Sequence, residues 1–179
     1  MKKNLFKLAA FSGLVSLISS VPLTLLVEAK GGSYFPEFNL GPLIFLSIVS
    51  YALFLSGFIY LGQIQNSKVT AVSSFLLILV NISYDLLVYL PKISTYPSKL
   101  DEYPSAYIAF GITYGLLTIL HGYSLIQLKN PMGGLTKKTG WVELIFGFSF
   151  VTVVLSPISL LLLIPMYLLQ VKLLLRARK

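Results

Sequence analysis

Residues 141–175 read WVELIFGFSFVTVVLSPISLLLLIPMYLLQVKLLL, and how often this stretch crosses a bilayer decides the fold. As one helix its 35 residues would run about 52 Å, against a hydrocarbon core of about 30 Å. Ser156-Pro157 lies near the middle. Proline removes a backbone donor and clashes with the preceding turn, so it kinks or breaks a helix. One long kinked helix and a tight hairpin of two short ones are the two readings.

Working outward, four further apolar runs precede this one. The spans fall at about 5–27, 41–63, 69–91 and 106–128, followed by 139–155 and 158–175 if the last stretch is a hairpin. The polar connections are Lys30–Pro42, Gln63–Lys68, Lys92–Pro104 and Lys129–Gly140. Each half of the last stretch reaches only about 26–27 Å, which suits a thin or locally thinned bilayer.

Charge separates the readings. With six helices one side holds Lys2, Lys3, Lys7, Lys68, Lys129, Lys137, Lys138, Lys172, Arg176, Arg178 and Lys179, and the other only Lys30, Lys92 and Lys99. That is eleven against three, whereas five helices give seven against seven. Basic residues near span ends favour the cytoplasmic side. The expected architecture is therefore an all-α, polytopic transmembrane helical bundle over residues 1–179 as one membrane domain. It has six helices, with five as the alternative, a last pair broken at Ser156-Pro157, and both termini on the cytoplasmic face of the cell membrane. Tyr34, Tyr89, Tyr96, Tyr103 and Tyr107 gather near the proposed outer ends and Trp141 near the inner face, as interfacial aromatics do. Met1-Lys2-Lys3 before an apolar run also resembles a signal peptide, with Val27-Glu28-Ala29 as a cleavage site. The run exceeds the usual 7–15 residues, which favours a retained signal anchor.

Composition agrees. Of 179 residues, 56% are hydrophobic and 11% charged, against about 25% charged in soluble domains. The net charge of +8 is spread over short segments flanking apolar runs, which is a membrane-orientation pattern and argues against a nucleic-acid partner. The absence of cysteine excludes disulfides, thiolate catalysis and cysteine-ligated metal. No Walker loop, HExxH or GxSxG motif is present. No catalytic, cofactor-binding or metal residue is expected.

The candidate site is a set of polar residues inside spans. Ser74, Asn81 and Asp85 share one helical stripe, since residues at i, i+4 and i+7 lie on one face. A carboxylate in a span usually faces the bundle or a water-filled cavity. It marks a proton- or cation-binding group or a hydrogen-bonded residue near the outer interface. His121, the only histidine, shares a face with Tyr114 and Thr118. It reads as a proton relay or as a neutral ring bonded across a helix interface. Glu143, placed at the start of the fifth helix, reads as an acid favoured by the helix dipole. Gly111, Gly115 and Gly122 form a small-residue face expected to pack closely against a neighbouring helix. A weak duplication also shows: Pro42 and Pro104 precede helices, Gly57 and Gly122 sit near their inner ends, and Asn66 and Asn130 follow, at offsets drifting from 62 to 65.

Gly57-Phe58-Ile59-Tyr60-Leu61-Gly62 followed by Asn66-Ser67, and Pro165-Met166-Tyr167-Leu168-Leu169 leading to Leu173-Leu174-Leu175-Arg176, resemble small six-helix membrane proteins of archaea and bacteria that carry no assigned function. The resemblance implies a fold type and no activity. The functional expectation is a non-enzymatic bundle acting as an accessory, assembly or membrane-organising protein. Its partners would be the lipid bilayer and a second membrane protein or another copy of itself. The alternative is a small proton- or cation-coupled transporter or channel using the Asp85 stripe. The discriminator is whether Asp85, Asn81 and His121 face one cavity.

Overall fold

The computed structural model describes residues 2–29, 41–93, 104–129, 132, 134–152 and 156–177. Among them all regular structure is helical, in six elements: α1 (Lys2–Ala29), α2 (Gly41–Ile64), α3 (Lys68–Ile93), α4 (Pro104–Ile126), α5 (Leu135–Val151) and α6 (Ser156–Ala177). Three of these carry segments long and apolar enough to cross a membrane: Gly41–Ile64, Lys68–Leu87 and Ile108–Ile126. The loops bearing Lys30, Tyr34, Tyr96, Lys99 and Tyr103 lie outside the described residues, as do the side chains of Tyr89 and Tyr107.

Each helix packs on its neighbours in the chain, and the last packs on the first. The pairs run antiparallel. Phe6 meets Tyr60 and Gly13 meets Phe54 across α1–α2. Thr70 meets Ser124 and Tyr84 meets Phe110 across α3–α4. Ser16 meets Tyr167 across the closing α1–α6 seam. The result is an up-and-down ring of six helices. It gathers the starts of α1, α3 and α5 and the ends of α2, α4 and α6 at one end, where Lys7, Lys68, Lys137, Lys138 and Arg176 sit.

The interior is lined by aromatic rings. Phe54 stacks on Tyr167 with centroids 5.4 Å apart, meets Phe58 edge-on, and Phe58 in turn meets the His121 ring. Phe54 and Phe58 are fully buried. The outer surface is also apolar: Phe11, Ile18, Phe45, Phe148 and Leu161 are all more than half exposed. Water has nothing to bond on such faces, and a soluble protein rarely shows apolar patches of this extent.

Local chemistry sets the turns. Asn66 has φ 54° and closes α2: its N–H donates to the Gln63 carbonyl (3.3 Å) and the Ser67 N–H to that of Gly62 (2.8 Å). This is the two-bond C-terminal cap that a left-handed residue makes possible. Ser67 then caps α3 by accepting from the Thr70 N–H.

One expectation needs correction, at α5. The fifth helix spans Leu135–Val151, one turn earlier than 139–155, because Gly134 takes a left-handed φ of 79° at its N-cap and releases the chain into a helix there. Lys137 and Lys138 are therefore in the first turn, and Glu143 is mid-helix instead of at the start. Helix α6 begins at Ser156, at the expected Ser156-Pro157 break, and Pro157 falls in its first turn, where its missing N–H costs no intrahelical bond. Pro165 lies inside α6, which continues through it.

Candidate functional site

Two glycines on α4 and two on α5 let the backbones of these helices approach closely. A Cβ built on Gly115 would lie 2.8 Å from the Gly147 carbonyl oxygen, and one on Gly147 would lie 2.7 Å from that of Gly115. A turn pair further in, a Cβ on Gly122 would lie 2.7 Å from the Gly140 oxygen and 2.9 Å from the Glu143 Cβ. Both helices repeat glycine at a seven-residue spacing, and the antiparallel register matches 115 with 147 and 122 with 140. Gly111 does not belong to this contact. Among the described residues nothing lies within 4 Å of a Cβ placed there. In the same antiparallel register Gly111 stands opposite residue 151, where α5 ends.

That approach sets His121 beside Glu143. His121 Nδ1 and Glu143 Oε2 are 2.6 Å apart, and Gln170 Nε2 of α6 donates to Glu143 Oε1 at 2.7 Å. His121 and Glu143 have no exposed surface and Gln170 is 5% exposed. No lysine or arginine pairs with Glu143 among the described residues. Below, toward the basic end, a row of hydroxyls holds the backbone of His121. Ser67 Oγ bonds Thr70 Oγ1 (2.8 Å), Thr70 Oγ1 donates to Ser124 Oγ (2.9 Å), and Ser124 Oγ donates to the His121 carbonyl (2.7 Å).

Above the pair lies a cavity with about 10 Å³ of room for the centre of a water-sized molecule, the space one water needs on that measure. Its walls include Tyr51, Tyr114, Thr118, His121, Glu143 and Tyr167. Tyr51 and Tyr114 bond hydroxyl to hydroxyl at 3.2 Å, and the Tyr167 hydroxyl reaches Ser16 Oγ at 3.4 Å. His121 Nε2 is buried and has no hydrogen-bond partner among the described residues.

The sequence-derived site is thus split. Asn81 Nδ2 donates to Asp85 Oδ2 at 3.0 Å, so these two do meet. Ser74 Oγ donates to the Thr70 carbonyl of its own helix, and joins neither. Of the four residues Ser74, Asn81, Asp85 and His121, only His121 lines the cavity. Asp85 is nonetheless buried and within electrostatic range of Tyr114 and Tyr167, as Glu143 is of Tyr51 and Tyr114. Sequence reasoning missed Glu143, Gln170, Tyr51 and Tyr167 as parts of one polar centre. The duplicated pattern also places its two glycines differently: Gly57 faces Ala9 of the preceding helix and Gly122 faces the following one.

Among the described residues no group of three or more His, Asp or Glu side chains is positioned to hold a metal ion. A scan against protein-family models, a search of curated proteins and a search of solved structures each returned no match to this chain.

Proposed function

We propose that the chain is a non-enzymatic, multi-pass protein of the cell membrane, with both termini cytoplasmic, that works through its packed helical body as an accessory, assembly or membrane-organising protein. The observation that carries this reading is the closed interior. Among the described residues, a ring of six helices encloses aromatic side chains and a cavity with about 10 Å³ of room for the centre of a water-sized molecule, which holds about one water. The apolar outer faces supply the surface for lipid and for a second membrane protein or another copy of the chain. Reconstitution in liposomes tests it: the protein should pass protons and monovalent cations no faster than protein-free vesicles. After gentle detergent extraction it should also retain a partner or lipid at fixed stoichiometry. Flux well above the vesicle background would overturn the reading.

A second reading is proton transfer through the bundle. It is favoured by the order of polar groups along the axis, from Asn81–Asp85 past Tyr114, Tyr51 and Tyr167 to His121–Glu143. Asp85→Asn and His121→Asn would then each abolish dye-reported proton flux, since either removes a group that must bind the proton in turn.

A further inference from the structure

We propose that His121 and Glu143 form a buried proton-binding site whose second proton sits on His121 Nε2 and is donated to a single water in the adjoining cavity. Two independent observations meet here. One is a fully buried imidazole nitrogen without a protein partner; the other is a water-sized cavity lined by the same residue.

The proton count follows from the geometry. One proton lies between Nδ1 and Oε2, which are 2.6 Å apart. With that proton alone the pair carries a net charge of −1. No lysine or arginine pairs with it among the described residues, and the Gln170 N–H supplies only a dipole. An isolated charge in apolar surroundings is strongly disfavoured, and such groups neutralise instead. A second proton makes the pair neutral, either as imidazolium with carboxylate or as neutral imidazole with carboxylic acid. In both forms Nε2 carries the proton and becomes a donor. A buried donor needs an acceptor, and a water held there has the hydroxyls of Tyr51, Tyr114 and Tyr167 as further partners, within the usual two to four. The titratable groups lining the cavity beside His121 are Tyr51 from α2, Tyr114 from α4, Glu143 from α5 and Tyr167 from α6, and Asp85 of α3 lies outside that lining. Binding and release involve one proton, with no bond between heavy atoms made or broken.

The single histidine makes the test direct. Protein with ¹⁵N in the histidine ring, in lipid bilayers, gives two ring-nitrogen signals in solid-state NMR, both from His121. At neutral pH the Nε2 signal should be of the protonated type and should receive magnetisation from water. An unprotonated Nε2 would overturn the proposal, and so would a protonated one without water transfer. In Glu143→Gln the carboxamide N–H faces Nδ1 and its carbonyl faces Gln170, so the proton shared across the 2.6 Å contact is lost and the Nδ1 signal should shift while Nε2 stays protonated. An Nδ1 signal identical in the two proteins would show that the carboxylate is not part of the site.

Discussion

At the scale of single residues, the balance of the molecule turns on Glu143. Its two oxygens satisfy donors or a shared proton from two other helices, so truncation strands both. Glu143→Ala should cost about 1–3 kcal/mol for each buried group left unpaired. Glu143→Gln, which can bond both neighbours, should stay within about 1 kcal/mol of wild type. Thermal unfolding in one detergent would rank the three. Asp85 behaves differently because its partner is a neutral amide. Asp85→Asn keeps an acceptor for Asn81 and removes a buried charge, so its melting temperature at neutral pH should match or exceed that of wild type; a clear drop would reveal an unrecognised cation partner. Asp85 was legible from the sequence because a lone carboxylate in an apolar run stands out. Glu143 was not, because placing the helix start at residue 139 made its acid look like a dipole effect. Gln170 carries no charge and gave no signal.

Helices α4 and α5 show what spacing can and cannot tell. Gly111, Gly115 and Gly122 looked like one face, but the contact follows Gly115–Gly122 against Gly140–Gly147. The matching seven-residue spacings were present in the sequence. Aligned antiparallel, they bring residues 121 and 143 to within two residues of the same level, and that alignment would have found the site. Gly115→Leu and Gly122→Leu should each destabilise by at least the about 1–3 kcal/mol of ordinary overpacking, since backbone, which cannot rotate away, fills the space. Gly111→Leu should be close to wild type. Equal melting temperatures for all three would mean that the α4–α5 contact is looser than described. In the α2–α3 turn, Asn66 at φ 54° should accept glycine without loss, whereas Asn66→Val should cost about 1–2 kcal/mol.

For the whole molecule, the number of helices was legible because length, proline and charge all bear on it. Run lengths gave the first four helices, and eleven basic residues against three required an even number of crossings. Helix order around the ring was not legible, since apolar faces toward lipid and toward protein have the same composition. The ring predicts that protease sites appended at either terminus will be cut from the same side of sealed vesicles. Cleavage of the two from opposite sides would contradict an even number of spans.

The α1–α6 seam has a consequence for synthesis. The helix that completes the ring is the sixth to leave the ribosome, so Ser16 waits while four further helices emerge before Tyr167 arrives, and Glu143 Oε1 waits for Gln170. Until then the hydroxyl face of α1, with Ser12, Ser16 and Ser19 all buried in the finished bundle, stands open on one flank of a half-built barrel. Nascent chains halted before residue 156 should accordingly cross-link through this face to the insertion machinery, and full-length chains should let go.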